Sequence, residues 1–181
     1  AAAGGPLRRS DDQRHARQVA RAVYDRSTAD APVRYEAAQA LSVLVTELDE
    51  EEDWLRRSDP DSPVVRNSLA HVQGERLLRD GKAAEADQKF KKCVEFHART
   101  AKTRSVSANN AATETMYRYT ATGDPAHLRA AAAYLEDAVR LEPDQALILG
   151  NLAGVLMEIG YVGMLDKWID TRTLALDPSG V

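Results

Sequence analysis

Small and apolar residues recur along this chain in a fixed order of steps. Gly74, Leu77, Gly81, Ala86, Phe90 and Cys93 are separated by three, four, five, four and three positions. Ala153, Leu156, Gly160, Leu165, Ile169 and Arg172 keep the same steps. Met116, Tyr119 and Gly123 keep the first two, and after a three-residue insertion Ala131, Leu135, Ala138 and Pro143 resume the pattern. Steps of three and four place residues on one face of a helix, whereas a strand has a period of two. A register with a glycine at its centre describes two helices joined by a tight turn. Its repetition describes a stack of such hairpins.

The local signals agree. Asp11 to Thr28 carries Ala16, Val19, Ala20, Val23 and Tyr24 at helical spacing, and Ala29-Asp30-Ala31-Pro32 closes that stretch. Tyr35, Ala38, Leu41, Leu44, Val45 and Leu48 share one side of a second helix, which an acidic run, Asp49 to Asp53, follows. Ser62-Pro63 and Asp124-Pro125 each pair a capping residue with a proline suited to the first helical position. The third helix runs to Arg79, the fourth from Ala83 to about Ala101, and the fifth from Ser105 or Ser107, either a cap, to Gly123. A sixth helix is expected to close at Leu141-Glu142-Pro143. A seventh is expected to end at Gly160, and an eighth to reach Leu176. Eight helices and no strand give an all-α fold. About thirty of 181 residues are alanine and only 6% are aromatic. That composition suits helices packed at short distance and disfavours sandwiches and barrels.

This spacing resembles the tetratricopeptide repeat (TPR), a helix-turn-helix unit of about 34 residues. The resemblance covers about Asn67 to Pro178. It implies a right-handed α-solenoid of about four helical hairpins. Residues 1–10 then read as a flexible lead-in and 11–58 as a TPR-like hairpin. Residues 63–178 read as three repeats, at about 63–101, 105–142 and 144–177. Gly74 and Ala153 would let the helices of a unit cross closely. Glycine at Gly81, Gly123 and Gly160 would permit the left-handed turn. The last unit departs from the pattern at Leu165 and Arg172. The turn Gly123 to Arg129 looks like a variant common in bacterial TPR arrays, and Leu176-Asp177-Pro178 reads like the join to a further repeat. The chain is therefore expected to be part of a larger bacterial protein.

TPR arrays bind with the concave surface built from the first helix of each unit. By register, that surface would present Ser68, His71, Glu75 and Arg79 from one unit. The next would add Asn110, Thr113, Tyr117 and Thr120, and the last Gly150, Gly154, Met157 and Glu158. Such a mixed polar groove suits a peptide or a partner helix. For Gly150 to Gly154 the alternative is close helix packing. The carboxylate clamp of chaperone-binding TPR proteins is not reproduced, since Ser68 and His71 stand where basic or amide residues are needed. Asn151 alone resembles a clamp position. The C-terminal helix is apolar on more than one face, so Met164 and Trp168 are expected to form a docking face, with self-association as one use. The expected function is a non-catalytic protein-interaction scaffold. The alternative is a regulatory sensor holding a small peptide or metabolite in the same groove.

Other constellations point to little chemistry. Net charge is −4, which does not suit nucleic acid. The basic residues from Lys89 to Arg104 are interrupted by acids and read as a solvated face. Arg14, Arg17 and Arg21 share one face of the first helix. They suit phosphates or an acidic partner, but they also suit the acidic run, which an antiparallel second helix returns beside them. His71 and Glu75 form half a metal site, with no third ligand at metal spacing. Cys93, the one cysteine, excludes an internal disulfide, reads as core, and fits a reducing, cytoplasmic setting. No apolar run approaches a membrane span of about 18 residues, and residues 1–10 lack the core of a signal peptide. No catalytic motif, cofactor or metal is expected, and no nucleic-acid or membrane partner.

Overall fold

Ser62 and Asp124 show how local chemistry sets the helix boundaries. In the computed structural model, Ser62 Oγ accepts from Val65 N at 3.4 Å and Asp124 Oδ1 accepts from Ala126 N at 2.8 Å. Each satisfies a backbone donor that the first helical turn leaves unpaired. Pro63 and Pro125 follow them, where the missing N–H costs nothing. The structure describes residues 6–29 and 31–176, with side chains for 12–29 and 31–164. Over this range it holds α1 (Pro6–Arg26), α2 (Pro32–Ser42), α3 (Leu48–Arg56), α4 (Pro63–Arg79), α5 (Ala83–Ala98), α6 (Ser105–Thr122), α7 (Pro125–Leu141) and α8 (Ala146–Leu176). No strand occurs among the described residues. Helices that follow one another in the chain pack together within each of the two units described below.

Eight helices were expected, but these are not the same eight. The expected second helix divides. Ser42 Oγ donates to the Gln39 carbonyl at 2.8 Å, a competitor for helical bonding. Val43, Val45 and Thr46 then bring β-branched side chains that favour other conformations. The acidic run lands in the first turn of α3, as Asp49, Glu50 and Glu51. There the helix dipole favours it, whereas at the end of a longer helix it would be opposed. The expected seventh and eighth helices join. Gly81 and Gly123 have φ of 73° and 70° and end their helices as anticipated. Gly160 stays helical within α8. Asp124-Pro125 follows Gly123 and starts a new helix, whereas Tyr161-Val162-Gly163 follows Gly160 and offers neither a cap nor a proline. A glycine permits a turn, but it does not compel one.

Three smaller expectations change. α1 opens at Pro6, inside the stretch read as a lead-in, and residues 1–5 lie outside the described range. Neither Ser105 nor Ser107 caps α6. Arg104 holds the cap position without a side-chain bond, while Ser105 Oγ donates to Glu142 and Ser107 Oγ accepts from Thr100. The membrane-length criterion is also met after all. Ala146–Met164 is 19 residues long with a mean hydropathy of 1.6. Asn151 and Glu158 interrupt the run, yet their weight is small across so many apolar neighbours.

The chain divides into two compact units, Ala1–Gly81 and Lys82–Val181. α4 and α5, read from sequence as one repeat, fall on opposite sides of that division. In the first unit α1 packs on α2, α2 on α3 and α3 on α4. One cluster gathers Ala38, Leu41 and Trp54 with Ala20, Tyr24 and Val45. A second gathers Leu48, Leu55, Val65 and Val72. In the second unit α5 packs on α6, α6 on α7 and α7 on α8. Its core is built largely of alanine: Ala101, Ala108, Ala112, Ala131, Ala132 and Ala138, with Leu135, Ile148 and Val155. The register positions Ala86, Phe90, Cys93, Ala131, Leu135 and Ala138 are all buried, as is Gly74 in the first unit. Ala153 is exposed and makes no close crossing.

Candidate functional site

α6 and α8 run in the same direction, since Asn109 pairs with Asn151 and, further along both helices, Tyr119 with Glu158; α7 packs on both. Two polar bridges span them. Asn151 Nδ2 donates to Asn109 Oδ1 at 2.8 Å, and Tyr119 OH donates to Glu158 Oε1 at 3.4 Å. Between these helices is a cleft of about 300 Å³. Ala112, Thr113 and Met116 from α6 face Gly150, Asn151 and Gly154 from α8, over Leu135 and Val155. The local pattern explains the lining. Asn109, Thr113 and Met116 lie four and three residues apart, on one face of α6. Gly150 and Gly154 lie one turn apart on α8. A Cβ built on either glycine would meet no atom within 4 Å. Close packing therefore does not require these glycines, and the packing alternative weighed from sequence is removed. They leave space.

The structure thus brings three expected groove residues together in one cleft: Thr113, Gly150 and Gly154. Asn110 is half-buried on α6, and Met157 is exposed on α8. Tyr117 is engaged elsewhere, since its ring stacks on Phe90 with centroids 4.8 Å apart and planes 16° apart. That contact belongs to the α5–α6 packing. Asn109 and Met116 were missed from sequence. Their i, i+4, i+7 relation with Thr113 was the available signal.

Ser68, His71, Glu75 and Arg79 belong to α4, in the first unit. His71 Nε2 lies 3.4 Å from Glu75 Oε1, and both side chains are half-buried. Across from them on α3, burial raises the Glu51 carboxyl above its usual range; the His71 charge opposes this and Glu75 adds to it. His71 is therefore occupied with neighbouring acids. Beside it, Glu52 is buried and forms a network that sequence reading did not find. Burial alone would raise its carboxyl. Hydrogen bonds from Gln73, Arg76 and Arg56 outweigh that and hold it below its usual range. In the second unit, Asp137 is the counterpart. It is buried and paired with Lys102 and Arg140, which accounts for one cation of the basic face.

Cys93 is fully buried, and burial pushes its thiol up to about 12, with nearby Glu114 adding to the shift. A thiol in that state is neither a ready nucleophile nor a metal ligand. Among the described residues no three His, Cys, Asp or Glu side chains converge to hold a metal. On the proposed docking face, Met164 is 60% exposed, and the Trp168 side chain lies outside the described residues. Comparisons with family models, with curated proteins and with solved structures return no match. The fold is that of an all-helical protein with a repeat-like order of packing.

Proposed function

We propose that this chain is a non-catalytic interaction module, built as a TPR-like solenoid within a larger bacterial protein. It binds a peptide or partner helix along the α6–α8 cleft. One observation carries the reading: Gly150 and Gly154 line a cleft, and a Cβ added at either would meet no atom within 4 Å. A helix position that fills no contact costs stability without return, because glycine is the poorest ordinary helix former. Two such positions facing Thr113 and Met116 are best explained by something that enters. The bridges from Asn151 and Glu158 supply polar groups that orient a backbone or side chain. A volume near 300 Å³ is at the lower end for small-molecule pockets. That favours an extended ligand over the metabolite-sensor alternative.

The test selects peptides against the purified chain from a random display library. The affinities of the selected peptides are then measured for wild type, for Gly150→Ala and for a Gly150→Leu/Gly154→Leu pair. The leucine pair should fold, since a Cβ at either position meets no atom within 4 Å and leucine favours a helix over glycine, and should weaken binding at least tenfold. Gly150→Ala should bind almost as wild type does. Peptides that bind the leucine pair unchanged would place the site elsewhere. The exposed apolar face of α8, with Leu156, Met157, Tyr161 and Met164, is proposed as a second docking surface, used for association between copies.

A further inference from the structure

α8 carries two seams on opposite sides. Ile148, Leu152, Val155 and Ile159 step by four, three and four positions and pack into the core of their own unit. On the other side, Leu147, Gly150, Gly154, Met157, Tyr161 and Met164 step by three, four, three, four and three. That is the spacing by which one helix packs along another. All six are exposed, and Leu147, Met157, Tyr161 and Met164 are each more than half exposed. The outer seam is thus spaced like the inner one, yet it stays open. From Ala146 to Met164 no exposed residue carries a charge, and the two polar residues that could interfere, Asn151 and Glu158, are half-buried and bonded to α6.

The order of these steps is a palindrome, so the outer seam keeps its spacing when the helix is reversed. Side-chain size is not palindromic, and this decides what fits. Two copies of α8 laid antiparallel, with a two-fold axis midway between Val155 and Leu156, set Leu147 on Met164, Gly150 on Tyr161 and Gly154 on Met157. Each glycine then receives a large side chain, and a Cβ at either glycine meets no atom within 4 Å, so the space is there. A parallel pair would set glycine on glycine in two successive layers and Tyr161 on Tyr161. Voids and crowding both cost stability. The six seam residues offer on the order of 500–600 Å² per copy, and two such faces reach the about 1,000–1,200 Å² at which specific interfaces begin.

We propose that the outer seam of α8 takes α8 of a second copy, antiparallel, with Gly150 and Gly154 of each copy receiving Tyr161 and Met157 of the other. This rests on the reading that the exposed face of α8 serves association between copies, and it adds which residues meet. Both copies use the same patch, so assembly closes at the dimer. Gly150 and Gly154 also line the α6–α8 cleft, so a second copy seated here and a peptide in that cleft exclude one another.

Sedimentation equilibrium of the whole chain over a wide concentration range reads the association itself. The mass should rise to that of a dimer and stop. A chain that is monomeric throughout overturns the association reading and this proposal together, and a mass that climbs past the dimer overturns the two-fold pair. Cross-linking reads the pairing. Leu147 and Met164 lie about 25 Å apart along the helix, and Cys93 is buried away from the surface. Leu147→Cys and Met164→Cys chains are mixed and mildly oxidised, and intact mass identifies the products. The mixed disulfide should exceed either homodimer at least tenfold. Homodimers as the main products would overturn the pairing while association stands. Exchanging the sizes within one layer gives a second readout. Gly150→Tyr and Tyr161→Gly should each weaken the dimer at least tenfold, and the double variant should return to within threefold of wild type, with circular dichroism confirming the fold. A double variant no tighter than either single also overturns the pairing. The cross-linking result does not depend on the size-exchange variants folding.

Discussion

Glu51 and Glu52 are adjacent in sequence, yet the fold gives them opposite electrostatic roles. Glu52 faces α4 and receives hydrogen bonds from Gln73 and Arg76, with Arg56 adding a third from one turn along α3. Its folded carboxyl titrates below the ordinary value, so its contribution is fully present above the unfolded range near 4.5 and is lost as pH falls through the folded value. Burial shifts Glu51 upward instead. Its charged form is therefore a penalty at neutral pH, relieved as pH falls through its raised folded value. Glu52→Gln should lower stability by about 1–2 kcal/mol at neutral pH, and Glu51→Gln should raise it slightly. Urea unfolding midpoints at neutral pH and at about pH 3 check both signs, because each difference should shrink in acid. An equal loss in both variants would contradict the assignment. Sequence reading saw an acidic run at this point. Which acid turned inward depended on where α3 began, and the break at Val43 to Glu47 decided that.

At the scale of elements, glycine shows the limit of local inference. Gly81, Gly123 and Gly160 occupy the same place in the repeated spacing, but two turn the chain and one does not. At Gly123 the Asp-Pro start downstream enforces the turn, Gly81 turns without a side-chain cap after it, and Gly160 is followed by apolar, uncapped residues that continue the helix. A substitution pair separates the two states. Gly123→Ala forces a Cβ into a left-handed conformation and should cost about 1 kcal/mol. Gly160→Ala enters a continuous helix with open space around it and should stabilise by about 0.5–1 kcal/mol. Thermal unfolding followed by circular dichroism measures both. If Gly160→Ala destabilises instead, α8 bends at that residue in solution. The caps at Ser62 and Asp124 were legible because they depend on one side chain and the next turn. The join of α8 was not, because helix continuation depends on what both ends of a segment gain by packing.

At the scale of the molecule, α8 is the least satisfied element. Ile148 and Val155 are buried against their unit, while Leu147, Leu156, Met157, Tyr161 and Met164 are each half-exposed or more. A helix apolar on all sides normally has every side covered. If a second copy covers it, the mass measured by light scattering should rise with concentration. A Leu156→Lys/Met164→Lys pair should then hold the chain as a monomer, and Trp168→Ala should weaken association. A mass that stays monomeric at high concentration, or that these changes do not move, would exclude this surface as a self-contact. The residues in chain order determined a good deal: the helical class, the buried register of Ala86, Phe90, Ala131, Leu135 and Ala138, and the two capped starts. These follow from spacing and from side chains acting within a few residues of themselves. Tertiary structure alone decided that Glu52 and Asp137 became buried ion-pair centres, and that Gly150 and Gly154 face open space rather than a neighbour. Those outcomes depend on partners about 20 to 40 residues away. Their distance and direction are set by how whole helices pack, which no local pattern encodes.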